Sequence, residues 1–128
     1  MKKILLLLLG LTLFASCQKL DDNGDLGGNW KMLLLEDFER DTVINTRMDN
    51  RFWAIQLRLL QLTGEIHGGK GYFQHVGDSL YVQMVYLPAD CKYYGLYNPK
   101  DDRFEVVHLD GKKMILKSKY VKLDFMRF

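Results

Sequence analysis

From residue 29 onward, apolar side chains recur at every second position in short runs, and no segment carries a helical apolar period for more than two turns. That is the signature of half-buried strands. It is clearest over 52–62, where Trp53, Ile55, Leu57 and Leu59 share one face and Ala54, Gln56 and Arg58 the other. Over 80–86, Leu80, Val82 and Met84 alternate with Tyr81, Gln83 and Val85; over 120–128, Val121, Leu123 and Phe125 alternate with Tyr120, Lys122, Asp124 and Met126. Strands are also expected over 30–36, 71–76, 104–109 and 113–117, with a weaker one over 41–46, for a total of about eight. Gly77-Asp78 and Asp110-Gly111 are hairpin turns that tolerate positive φ, and Ser118-Lys119 is another tight reversal. The long connection 87–102, with Pro88 and Pro99, has room for a short helical turn. Adjacent strands so joined are antiparallel, and such a meander removes its exposed edges by closing on itself. The expected fold is all-β, a small antiparallel up-and-down barrel.

The first residues follow a different pattern. Lys2 and Lys3 precede an apolar stretch that ends in the small residues Ala15 and Ser16, the three-part layout of a secretory signal over 1–16. The apolar run falls short of the roughly 20 residues needed to cross a bilayer as a helix. Cys17 follows directly, so Leu13-Phe14-Ala15-Ser16-Cys17 resembles a lipobox, although Phe14 stands where Leu is usual. The resemblance implies diacylglycerol on the Cys17 sulfur and cleavage before it. Two acyl chains at about 0.8 kcal/mol per buried methylene hold a protein at a membrane stably. Residues 17–28 are polar and rich in Gly and Asp, the composition of a flexible tether, so the domain is expected over 29–128. Asp21-Asp22 resembles the export signals that send lipoproteins to the cell surface in Bacteroidetes, with a plain solvated linker as the alternative. The expected location is the outer membrane, facing the periplasm or the outside.

Processing at Cys17 changes the charge picture. Losing Lys2 and Lys3 lowers the basic count from 18 to 16, equal to the 16 acidic residues. A neutral exported chain lacks the clustered basic excess of a nucleic-acid binder. The remaining 112 of 128 residues suit one domain with one core. With Cys17 lipidated, Cys91 has no partner for an intrachain disulfide.

These residues resemble the small lipocalin-like lipoproteins abundant in Bacteroidetes. The lipobox, Gly28-Asn29-Trp30 at the head of the first strand and the closing run from Tyr120 to Phe128 carry the resemblance. It implies a barrel whose first-strand Trp plugs the closed end beneath a basic residue of the last strand, roles that fall to Trp30 and Arg127. The contact is a cation–π interaction of about 0.5–2 kcal/mol and is structural.

Signals for chemistry are sparse. Cys91 in Ala89-Asp90-Cys91-Lys92 has no nucleophile motif, and His67, His75 and His108 stand singly without metal-ligand spacing. Glu36, Asp37, Glu39 and Asp41 cluster, but their adjacent spacing points them apart, and the run from His67 to Gly71 reads as a flexible glycine hairpin tip. No cofactor or metal is expected, and the chain reads as a non-enzyme. Tyr93, Tyr94 and Tyr97 form either a contact surface or a lid over the open end. Two readings of the domain follow. One is a binding module for a small apolar ligand or an envelope protein; the other is an accessory lipoprotein with a filled interior, favoured by Trp53, Leu57, Leu80, Met84, Leu123 and Phe125 as inward residues. A hydrolase using Cys91 stands well behind both.

Overall fold

The alternation closes into a barrel. The computed structural model describes residues 23–128, so the signal sequence expected over 1–16 and Cys17 lie outside the described residues. Its strands are β1 (Gly28–Asp37), β2 (Thr42–Asn45), β3 (Arg51–Gln56), β4 (Leu59–Gly64), β5 (Gly69–Val76), β6 (Ser79–Tyr86), β7 (Asp102–Leu109), β8 (Lys113–Lys117) and β9 (Val121–Arg127). All pairings are antiparallel, and β1 pairs with β9 from Trp30↔Arg127 to Asp37↔Val121. That pairing joins the ends of the meander. Eight strands, β1 and β3–β9, make the closed barrel, while β2 runs beside the far half of β1 and pairs with nothing else. Bulges at Met32/Leu34, Lys70/Gly71 and Val106/His108 bend the sheet enough to close.

The inward faces form one core. Trp30, Trp53, Phe104 and Phe125 are fully buried among Leu35, Leu60, Leu62, Leu80, Leu116 and Leu123. Trp53 meets Phe104 edge-on at 5.6 Å and Phe125 at 5.1 Å between ring centroids. These separations lie within the favourable range for aromatic pairs.

Three expectations are corrected. Residues 52–62 are not one strand: the chain reverses at Leu57-Arg58 between β3 and β4, with Leu57 at φ 57°. The register Trp53↔Leu62 and Ile55↔Leu60 then places Leu60 and Leu62 inward, so Leu57 and Leu59 are exposed and Leu57 is no core residue. Secondly, the glycines after His67 are no flexible tip. A Cβ on Gly69 would lie 2.2 Å from the Tyr86 carbonyl oxygen and one on Gly71 2.3 Å from that of Gln83, so these glycines let β5 and β6 approach. Thirdly, the fold reaches back before residue 29. A 3-10 turn at Gly24–Leu26 buries Leu26 completely in the core.

Candidate functional site

A barrel of this size works either through its interior or through its outer surface, and what closes its two ends decides between them. At the end where β1 begins, the Trp30 indole N–H donates to the Leu26 carbonyl at 2.8 Å. The Arg127 guanidinium lies 4.3 Å from the Trp30 ring centroid. Arg127 also donates through Nε to Gly111 O at 2.7 Å, through Nη1 to Gly27 O at 2.5 Å and through Nη2 to Asp25 O. Gly28, at φ 123°, is where this clamp meets the backbone: a Cβ there would stand 2.3 Å from Arg127 Nη1. Gly28, Trp30 and Arg127 thus form one assembly that shuts this end.

The opposite end is shut by the connection between β6 and β7. A 3-10 turn at Lys92–Tyr94 leads into Gly95, whose φ of 86° drops the chain into the mouth. A Cβ on Gly95 would lie 2.6 Å from a Leu123 methyl carbon. Tyr94 and Leu96 are fully buried in the core. Trp53 Nε1 donates to Tyr94 O at 3.0 Å, and the Tyr94 hydroxyl donates to Ile66 O at 2.5 Å. Arg51 stacks on Tyr93 at 3.8 Å and donates to its carbonyl at 2.9 Å. Tyr97 stacks on Tyr120 and donates its hydroxyl to Asp37 Oδ2 at 2.5 Å. The three tyrosines therefore belong to a lid, with Tyr94 as its stopper.

Two carboxylates tie the lid down, with pKa values shifted in opposite directions. The Tyr97 hydroxyl, helped by the Arg40 and Glu39 backbone N–H groups, holds Asp37 below its ordinary pKa against the effect of burial. Burial, then Asp37 itself, pushes the Tyr97 phenol up. Asp102 accepts from Asn98 N at 3.1 and 3.2 Å, yet burial raises it to about 6. Burial, and then Asp90 and Asp102, raise Cys91 as well, which favours the protonated thiol over the nucleophilic thiolate. Its Sγ lies 4.0 Å from the Pro88 carbonyl oxygen. Among the described residues, no three His, Cys, Asp or Glu side chains are grouped to hold a metal. His108 pairs with Asp110 at 2.7 Å on an exposed turn.

Side chains occupy the interior, and the concavities lie outside. One of about 780 Å³ is bounded by Leu57, Arg58, Tyr72, His75 and Tyr81; another of about 430 Å³ lies beside Gly27, Gly28 and Ala54. The sequence reading missed Leu26, Leu96, Asp37 and Asp102 as structural anchors. Only Leu26, an apolar residue isolated in a polar stretch, carried a local signal.

A family model for the lipocalin-like domain matches residues 12–128. The chain belongs to the lipocalin-like domain family. No curated protein matches it. Among solved structures, a lipocalin-like protein from Bacteroides uniformis aligns at 19% identity with a TM-score of 0.67, over 82% of this chain and all of that one. An uncharacterized protein from Bacteroides eggerthii aligns at 17% identity with a TM-score of 0.58, over 80% of this chain and 98% of its own. At these identities the likeness concerns the fold. This lipocalin-like chain therefore has a binding-type architecture of the kind found in Bacteroides proteins, with both ends shut.

Proposed function

We propose that the protein is a membrane-anchored, non-enzymatic lipoprotein of the cell envelope whose filled lipocalin-like barrel binds a partner protein through its outer surface. The carrying observation is the occupied interior: Tyr94 and Leu96 are fully buried in the mouth where a ligand would enter a cup. A partner protein is favoured over an apolar small molecule because exposed apolar side chains near the mouth lie outside it. Val43 and Ile44 on β2, with Met48 at 91% exposure, flank a strand paired on one edge only. Unpaired edges beside apolar side chains are where a second chain adds.

Two experiments test the two halves of this reading. Titration with a fluorescent fatty acid is expected to show no stoichiometric binding to the wild type; saturable one-to-one binding that quenches the buried tryptophans would restore the ligand cup. For the anchor, Cys17→Ser is expected to leave a soluble or uncleaved protein on cell fractionation. If that variant is still processed and membrane-bound like the wild type, the lipid anchor is wrong.

A further inference from the structure

The wall around the tether carries apolar side chains outward. Asn23, the first described residue, donates its side-chain amide to the Leu57 carbonyl at 3.0 Å, so the chain leaves the barrel beside the β3–β4 turn. Six residue steps, across the five residues 18–22, separate that point from Cys17. Even fully extended they span only about 20 Å. On the anchor reading of the previous subsection, on which this inference rests, that wall is kept within a short reach of the bilayer.

What faces outward there differs from an ordinary solvated surface. Leu57 is 49% exposed, Leu59 50%, Tyr72 53% and Phe128 72%. Leu59 and Tyr72 are direct cross-strand partners, and Phe128 packs on Phe52 at 4.9 Å between ring centroids. Leu57 is the telling member. It holds φ 57° in a two-residue hairpin turn, a position that glycine occupies without steric cost and a leucine does not. A strained leucine that is half exposed points to a surface role. Arg58 follows Leu57 in the turn and lines one hollow with Leu57, Tyr72 and Asp101. Half-exposed apolar side chains beside a basic residue suit the headgroup boundary of a bilayer.

We propose that this wall docks on the membrane, with Leu57, Leu59, Tyr72 and Phe128 entering the lipid interface around the anchored tether. The full-chain protein, carrying Cys91→Ala, is labelled with an environment-sensitive fluorophore through Leu59→Cys or Phe128→Cys, with Val43→Cys and Tyr86→Cys as opposite-end controls. It is reconstituted in vesicles of phosphatidylethanolamine and phosphatidylglycerol containing brominated lipid. Blue-shifted, bromine-quenched emission at 59 and 128, with aqueous emission at 43 and 86, is the expected result. Protein that is anchored while all four labels remain aqueous overturns the docking and leaves the anchor standing. If fractionation finds the protein soluble, the anchor has failed, and the labelled protein is mixed with the same vesicles; a blue shift at 59 and 128 then supports the docking face and aqueous emission overturns it. Leu57→Gly supplies a second measurement. It relieves the left-handed strain, so its melting temperature is expected to hold or rise, while vesicle partition of the unanchored Cys17→Ser form falls about fivefold for the lost apolar contact. Unchanged partition overturns the role of Leu57.

Discussion

The two ends of the barrel are shut by different means. At the end where β1 begins, Trp30 is held by the Leu26 carbonyl and the Arg127 guanidinium, and Arg127 is held in turn by three backbone carbonyls. Arginine is charged at every accessible pH and carbonyls do not titrate. The opposite end uses carboxylates: Asp37 holds Tyr97, and Asp102 holds the Asn98 amide. The lid is therefore the pH-sensitive closure and the plug the insensitive one. Both ends share one device, a buried tryptophan whose indole N–H is satisfied by a main-chain carbonyl, Leu26 for Trp30 and Tyr94 for Trp53. That lets the largest side chains fill the barrel without an orphaned donor.

The comparison can be broken most forcefully at the plug. Trp30→Ala is expected to cost about 3–5 kcal/mol, a large part of the roughly 5–15 kcal/mol available to such a domain. Denaturant unfolding of the soluble Cys17→Ser form measures it, and a loss below 1 kcal/mol would mean that the indole is not the keystone. At the lid, Leu96→Ala is expected to cost about 2–5 kcal/mol and to open a void at the mouth. Gain of fluorescent fatty-acid binding by this variant alone would sharpen the view that the lid is what makes the barrel a non-cup. Tyr97→Phe leaves a buried carboxylate with one donor fewer, an expected loss of about 1–3 kcal/mol; no loss would show that the Asp37 contact does not hold the lid.

Asp102→Asn tests the electrostatic difference between the ends. The Asp102 pKa is raised from 3.8 in the unfolded chain to about 6, so the folded state binds more protons between these values. Stability from this group is present at low pH and is lost as pH rises through about 6. The amide keeps an acceptor for the Asn98 N–H but does not ionise. Variant and wild type should unfold alike near pH 4, with the variant gaining relative stability by pH 7; a gap that does not change with pH would assign the lid to neutral contacts. The smallest effect belongs to Cys91→Ala, about 1 kcal/mol from lost packing. A loss of some measured activity in this variant, with folding intact, would revive the hydrolase reading.

Much of the barrel was legible because its signals are local. Period-two alternation marked β6 and β9 closely, the strands expected over 30–36 and 113–117 match β1 and β8, and Gly28-Asn29-Trp30 pointed to the head of the first strand. The errors came where a signal depended on a contact. Leu57 fits the alternation of β3 and β4 equally well, and only the observed turn shows that the parity changes there. The glycines of β5 look like a loop in one dimension and are close approaches in three, since a missing side chain means flexibility or proximity according to what stands opposite.

The Trp30 and Arg127 pair was implied by the resemblance alone; the sequence by itself determined the strand class and the antiparallel order imposed by short turns. These rest on periodicity and turn chemistry, which act over a few residues. Only the tertiary structure decided that the interior is filled. That outcome turns on Leu26, Tyr94 and Leu96, which come from irregular segments with no periodic pattern and enter the core only because the closed barrel leaves two apolar mouths to cover. The environments of Asp37, Asp102 and Cys91 were decided there too, since a pKa is set by burial and by neighbours up to sixty positions away in the chain, as Tyr97 is from Asp37.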